Sequence, residues 1–323
     1  YKFYVNVYLK GNYEWKKFNF YGDLQVRHIN YSYLGIDESF GNLVPLQQEI
    51  EFTFFNPKAG LTYTINNQSQ LYASYAVAHR EPVRSDFIES TPSSRPKEER
   101  LDNIEAGYKL RKQKFFFNGN VYWMNYKDQL ILTGKINDVG AYTRINVPKS
   151  YRAGIELQLK YALNKKYNTS YSITFSQNKI EEFTEYIDDY DQFTQVAIQH
   201  KNTNIALSPT LTTNRTFNWR PNDKLSFFWT TKYTSKQFLD NTQNKDRILD
   251  SYFINDINAH WTILNKTKFT MLLQLYANNL LDVQYAPNGY TYSYIYDRNL
   301  ITSNNFYPMA GRNYWISLKI DLK

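Results

Sequence analysis

The 323-residue chain contains no cysteine. That excludes a disulfide framework, a thiolate metal site and a cysteine nucleophile. No apolar run approaches the roughly 18–20 residues that a membrane-crossing helix needs. The serine motif G-x-S-x-G, the zinc motif H-E-x-x-H and a glycine-rich phosphate loop are all missing. Isolated Ser, Asp and His residues are no substitute for a catalytic set, so the chain reads as a non-enzyme with no cofactor and no resident metal. The charge leans positive, with 38 Lys and Arg against 30 Asp and Glu, a net of +8. The basic residues are scattered through strands and turns and form no block, which argues against nucleic acid.

Aromatic residues are abundant, with 30 Tyr and 21 Phe in a composition that is 18% aromatic. The mean hydropathy of -0.62 is strongly polar. Such an average is compatible with a membrane β-barrel, because half of each barrel strand faces a wet lumen.

The most informative stretch is 149–163, K-S-Y-R-A-G-I-E-L-Q-L-K-Y-A-L. Tyr151, Ala153, Ile155, Leu157, Leu159, Tyr161 and Leu163 fall on one face, and Arg152, Gly154, Glu156, Gln158 and Lys160 on the other. This period-2 alternation specifies a strand. Its length exceeds the usual 5–6 residues of a soluble strand. The apolar face is bracketed by tyrosines, as in a bilayer-crossing strand of about 9–11 residues with aromatics at both interfaces.

Thirteen strands are expected, at about 1–10, 13–33, 50–65, 70–81, 99–112, 114–131, 148–163, 167–182, 203–219, 223–236, 251–263, 268–280 and 309–323. Short connections alternate with long ones. The short ones fall at Gly11-Asn12, 66–69, near Lys112, at 164–166, at Pro221-Asn222 and at 265–267, where Asn, Gly, Pro and Lys suit hairpins. The long ones are about 34–49, 82–98, 132–147, 183–202, 237–250 and 281–308. A barrel of outer-membrane type has this asymmetry, with short periplasmic turns and long extracellular loops. A soluble sandwich or propeller would place short strands every 8–12 residues, against roughly 25 here. The expected fold is therefore all-β, a transmembrane antiparallel β-barrel. Thirteen is odd, whereas single-chain bacterial barrels close with an even number. The opening Y-K-F-Y-V-N-V-Y is itself strand-like. Residues 1–323 are accordingly expected to form the C-terminal part of a larger barrel, with earlier strands upstream.

Five segments carry a family likeness: S-Y-A-V-A-H-R-E-P at 74–82, E-R-L-D-N-I-E-A-G-Y-K at 99–109, N-D-V-G-A-Y-T-R-I-N-V-P-K-S-Y-R-A-G-I-E-L at 137–157, Y-A-N-N-L-L-D-V-Q-Y at 276–285 and M-A-G-R-N-Y-W-I-S-L-K at 309–319. In this order they resemble the C-terminal barrel of TonB-dependent outer-membrane receptors, most closely those of Bacteroidetes. The resemblance implies a 22-stranded barrel around an N-terminal plug. It implies energy-coupled import of a scarce nutrient, first a ferric siderophore or similar metal chelate, then haem or cobalamin. The implied partners are the outer-membrane lipid, the metal-chelate ligand, the TonB complex reached through a plug and TonB box not in this chain, and a surface lipoprotein as a further candidate. Loops would be extracellular. One departure is the end: the family usually closes on an aromatic residue, and this chain stops at Lys323. The competing reading is a passive porin or structural barrel.

Candidate site residues follow from placement. Arg80 and Arg84, Tyr142 and Arg144, and Tyr290, Tyr292, Tyr296 and Arg298 fall in long loops or at strand tops. Arginine forks match carboxylates and phenolates, and tyrosine adds flat area with a hydroxyl, a set suited to an anionic metal chelate. These loop tyrosines equally suit packing the loops on one another. Glu105, Lys109, Arg152, Glu156 and Lys160 are expected to face the lumen, as a plug-contacting surface or as ordinary polar lining. Gly107, Gly119 and Gly154 interrupt strands, marking curvature or lumen space. His28 and His79 are the candidates for haem iron. The acidic run from Glu181 to Asp191 is read as a solvated loop with a secondary Ca²⁺ option.

Overall fold

The computed structural model describes residues 1–39, 42–88, 95–136 and 142–322, and of residues 33–39, 42–48, 88, 134–136 and 142 the backbone alone. The strands, in chain order, are β1 (Lys2–Trp15), β2 (Phe18–Ser39), β3 (Asn42–Asn66), β4 (Ser69–Arg80), β5 (Glu99–Arg111), β6 (Phe115–Ile136), β7 (Tyr142–Ala162), β8 (Tyr167–Asp189), β9 (Thr194–Asn204), β10 (Leu211–Asn222), β11 (Leu225–Thr234), β12 (Gln237–Phe238), β13 (Ile248–Leu249), β14 (Tyr252–Asn265), β15 (Phe269–Asn278), β16 (Asn288–Tyr296), β17 (Asn299–Tyr307) and β18 (Asn313–Leu322). A single helical turn, α1 (Arg84–Ile88), follows β4.

Thirteen of these strands form one continuous wall in the order β1-β2-β3-β4-β5-β6-β7-β8-β10-β11-β14-β15-β18. Every neighbouring pair is antiparallel. The wall is a partial barrel. Among the described residues β1 pairs only with β2, and β18 only with β15. The thirteen expected strands are thus the thirteen wall strands.

The register confirms the two faces. On β7, Ile155 stands opposite Val121 and Phe175, and all three are exposed. These residues form the outward, bilayer-facing row. One residue along, Glu156 stands opposite Asn120 and Thr174 on the concave side. Aromatic rows bracket the apolar belt, as amphipathic rings favour the two interfaces. Trp123 stacks on Tyr151 at 5.0 Å near the loop end. Near the turn end Tyr167 and Phe227 flank Trp219, at 6.4 and 5.1 Å. Charges on outward rows are contained locally. Arg100 donates to Asp102 through Nε at 2.9 Å, and the Tyr75 hydroxyl donates to the same carboxylate at 2.5 Å. Arg215 lies against the rings of Tyr171, Phe217 and Trp229 at 5.4–5.9 Å.

The first hairpin differs from expectation. Gly11 and Asn12 lie within β1, opposite Gly22 and Tyr21, and the chain reverses at Lys16, whose φ is 55°. Aromatic pairs across the hairpin, Tyr13 with Phe20 and Trp15 with Phe18, hold this register. Cross-strand packing outweighs the local turn preference of Gly-Asn. Five of the six long connections also contain strand: β2 with β3 and β6 with β7 extend into 34–49 and 132–147, β9 pairs with an extended β8, β12 pairs with β13, and β16 pairs with β17. The expected loops at 34–49, 82–98 and 132–147 fall partly outside the described residues.

Gly107 and Gly154 lie on the concave face, where neighbouring side chains fill the space a Cβ would take. A Cβ at Gly107 would collide with the Tyr72 ring, and one at Gly154 with the Tyr122 ring and the Phe175 carbonyl. Gly119 is on the outward face, beside Phe117 and Leu157. The two concave glycines let a neighbouring tyrosine lie flat on the wall. Gly154→Ala is therefore expected to destabilise the barrel by about 1–3 kcal/mol through overpacking. Urea denaturation in bilayers checks this.

Candidate ligand-facing loops and lumen surface

Above the wall, three connections are tied together by one buried arginine. Arg247, in the connection between β11 and β14, has a side chain only 4% exposed. Its Nη1 donates to Glu185 Oε1 of β8 at 2.8 Å and to Asp240 Oδ2 at 2.6 Å. Its Nη2 donates to Ser293 Oγ of β16 at 2.8 Å. Burial alone would pull the guanidinium down. The hydrogen bonds it donates to Glu185 and Asp240, with the charges of both carboxylates, outweigh that and hold it above its ordinary value. The His200 ring nitrogen Nε2 lies 2.9 Å from the other Glu185 oxygen, which brings β9 into the same knot.

Further bonds extend the assembly. Asn241 donates to the Leu132 carbonyl at 2.7 Å and accepts from the Ala206 amide at 2.8 Å. The Asp191 carboxylate accepts from the backbone amides of Asp297 and Arg298 at 2.9 and 2.7 Å. The β16–β17 hairpin leaves the wall between β15 and β18, yet β16 pairs in parallel with the upper end of β8, Tyr294 with Asp188 and Ile295 with Asp189. At the loop end, Ile131, Val147, Ile180 and Ile205 form a small apolar core under this assembly.

The expected ligand residues fall into two groups. Arg80, Arg84 and Arg144 lie at the tops of β4 to β7. Arg80 is engaged with Glu99 at 3.0 Å, and Arg144 with Asp86 at 3.1 Å. Arg84 opens α1 and has no ion-pair partner among the described residues. Tyr142 opens β7, and its side chain lies outside the described residues. The second group is on β16–β17. Thr291 and Ser293 bury one face of β16, leaving Tyr290, Tyr292, Tyr294 and Tyr296 as a ladder on the other. Tyr292 stacks on Tyr294 at 6.2 Å, and Tyr290 leans on Tyr307 at 5.9 Å. Tyr292 and Tyr296 remain exposed. Arg298, at the hairpin tip with φ 61°, is fixed through its backbone amide.

On the concave face, Glu105, Arg152 and Glu156 come together around a depression of about 360 Å³ with Tyr122, Asn178 and Ser208. Arg152 Nη1 donates to Ser208 Oγ at 3.1 Å and to Asn178 Oδ1 at 3.3 Å. Glu105 accepts from Asn103 at 2.7 Å. Lys109 and Lys160 share the face but not the depression. Both lie lower, Lys109 near the 67–68 turn and Lys160 over the Phe116 ring at 5.9 Å.

Two expectations for metals do not converge. His79 stacks on Phe54 at 5.2 Å and its Nδ1 lies 2.9 Å from Asn56 Oδ1, while His28 lies 3.0 Å from Thr53, so each imidazole is engaged with its own neighbours. The acidic residues of β8 cap turns: Asp189 accepts from the amides of Asp191 and Gln192, and Asp188 from Gln195. Among the described residues, no group of three or more His, Asp or Glu could hold a metal ion.

Outward apolar rows, inward polar rows, tight turns at one end and long knotted connections at the other define an outer-membrane β-barrel wall. The chain belongs to the TonB-dependent receptor-like β-barrel family, whose model matches residues 2–280. No curated protein matches the sequence. Similar solved structures include the ferric yersiniabactin uptake receptor FyuA of Yersinia pestis (14% identity, TM-score 0.71, 99% of this chain and 45% of that one). The siderophore receptor PiuA of Acinetobacter baumannii has 16% identity and a TM-score of 0.72, over 98% of this chain and 42% of that one. The copper transporter OprC has 14% identity and a TM-score of 0.73, over 100% of this chain and 50% of that one. The chain thus spans 42–50% of the length of these three structures. The family is one of receptor-like barrels, and these neighbours are an uptake receptor, a siderophore receptor and a copper transporter.

Proposed function

We propose that this chain supplies the C-terminal share of a plugged, 22-stranded receptor that takes up a metal chelate, first of all a ferric siderophore, by coupling to TonB. The observation that carries the reading is the family match along the wall, joined to a rigid loop assembly that presents tyrosines and arginines above it. The open edges at β1 and β18 and the partial coverage of the neighbours support further strands and a plug in the whole protein. The depression at Glu105, Arg152 and Glu156 is the plug-facing surface in this reading, with Lys109 and Lys160 below it.

Arg84, Arg298, Tyr292 and Tyr296 are the first ligand contacts, because their side chains are not committed to ion pairs. Arg80 and Arg144, already paired, frame the site, with Tyr290 on the β16 ladder and Tyr142 at the start of β7 as further candidates. Removal of a charge-assisted contact costs about 1.5–3 kcal/mol, so Arg298→Ala is expected to weaken chelate affinity roughly tenfold or more. Arg144→Ala acts mainly through Asp86 and is expected to do less. Equilibrium binding of a ferric siderophore panel to the whole receptor reads both, and unchanged affinity in Arg298→Ala removes that residue from the site. Planar-bilayer conductance separates the receptor from a passive porin. A plugged receptor stays closed, and large steady pores from the intact protein contradict the proposal.

A further inference from the structure

The short turns share a property that neither the wall nor the ligand site requires. They are 16–17, 67–68, 112–114, 163–166, 223–224 and 266–268, all at one end of the wall because consecutive strands alternate in direction. These sixteen residues include nine lysines and one carboxylate, Asp223. Lys16, Lys17, Lys112, Lys114, Lys165 and Lys166 supply six of the nine, and the turns 223–224 and 266–268 supply the rest. Taking nine from 38 basic residues and one from 30 acidic residues leaves 29 of each sign. The entire net charge of +8 therefore resides in the turns, and the remainder of the chain is neutral.

Backbone hydrogen bonds set these turns side by side. Thr64 donates to the Lys17 carbonyl, Ala162 to Lys114 and Arg220 to Lys166, at 2.7–2.8 Å. The lysines are exposed, and none has a carboxylate within 4.0 Å among the described residues. Lys17 and Lys114 reach only backbone carbonyls, of Ile65 and Leu163. The collar borders the lower aromatic belt: the Lys16 ammonium lies over the Trp15 ring at 5.1 Å. Aromatic rings at this level mark the interface between hydrocarbon and headgroups. Lysines on flexible stems beside them extend their charges into the headgroup layer.

We infer that this basic collar binds the anionic phospholipid headgroups of the periplasmic leaflet. Charge complementarity names the occupant. A belt of unpaired ammonium groups held at headgroup depth attracts anionic lipid, and its electrostatics fall off within a Debye length. The collar would enrich acidic phospholipid around the barrel and fix the depth of the periplasmic rim.

The test is tryptophan quenching by brominated lipid. Trp15, Trp219 and Trp261 stand on outward positions near the collar. The full chain is reconstituted in phosphatidylcholine vesicles in which a minor fraction is either brominated phosphatidylglycerol or brominated phosphatidylcholine. The collar predicts a preference for phosphatidylglycerol of about fivefold, the factor contributed by one lysine at an anionic surface. The preference is expected to vanish at high salt, to vanish when all nine turn lysines become Gln, and to persist when they become Arg. The salt series needs no variant and decides the matter if the Gln protein fails to assemble. Equal quenching by both lipids in the native protein overturns the inference and assigns the charge to another partner, such as an acidic periplasmic protein. A preference that survives both high salt and the Gln changes also overturns it.

Discussion

Replacing Arg247 by Met is expected to loosen the extracellular loop assembly by about 3–5 kcal/mol while leaving the wall intact. The arginine is the only described counter-charge touching both Glu185 and Asp240. Those carboxylates are themselves only 9% and 7% exposed. Removing the guanidinium leaves two buried carboxylates without their shared cation, Glu185 keeping only His200 and Asp240 only Thr242, and takes one partner from Ser293. The cost is the desolvation of charges that have lost their partner, not the modest net worth of an ion pair. Because the loss is confined to connections above the bilayer, hydrogen exchange should rise across 183–204, 237–250 and 288–307. The ladder from β1 to β7 should stay protected. A change confined to 237–250 would mean that the arginine does not join the three connections. Since the knot also orders the tyrosine ladder of β16, chelate affinity should fall with it.

The second large effect separates the two faces of one strand. Leu157→Arg places a charge on the bilayer-facing row of β7, halfway between its tyrosine ends, where an arginine costs about 2–4 kcal/mol. Gln158→Arg places the same side chain one residue on, over the polar concave face, and is expected to cost less than about 0.5 kcal/mol. Reversible urea unfolding in bilayers measures both. Equal costs would show that β7 does not divide lipid from lumen.

The alternation that exposes Leu157 and Gln158 to different surroundings is also why the wall could be read from the amino acids. A strand between two unlike solvents must sort its residues with period two. Glu105, Lys109, Arg152, Glu156 and Lys160 all took the concave face that this rule assigns. The register of the first hairpin was less legible, because it depends on aromatic pairs between β1 and β2 rather than on Gly11 and Asn12. The hairpins β8–β9 and β16–β17 were read as loops. Above the bilayer both faces of β9 meet water or polar side chains, so little alternation marks it, whereas in β16 the tyrosines at 290, 292, 294 and 296 alternate with period two and were read only as loop aromatics.

The Arg247 knot left no sequence signal. Its partners stand 62, 7 and 46 residues away, in polar segments that resemble any solvated loop. The collar was visible only as lysines, mostly in pairs, in separate turns. Basic residues that look scattered along the chain are gathered by a fold that returns every second connection to the same rim. The ligand candidates were half legible. Their place in long connections could be read from the amino acids, but the ion pairs of Arg80 with Glu99 and Arg144 with Asp86 could not be anticipated from spacing.

The central claim is that this chain is a barrel wall with lipid on one side and a polar lumen on the other. The absence of native cysteine makes a direct measurement clean, because each introduced cysteine is unique. Spin labels placed one at a time at residues 151–163, in the full chain reconstituted in bilayers, report accessibility to oxygen and to a water-soluble nickel chelate. The account predicts strict alternation, with oxygen access high at Tyr151, Ile155, Leu157, Leu159 and Tyr161 and low at the even positions between them. Uniform accessibility, or nickel contact at the odd positions, would contradict it.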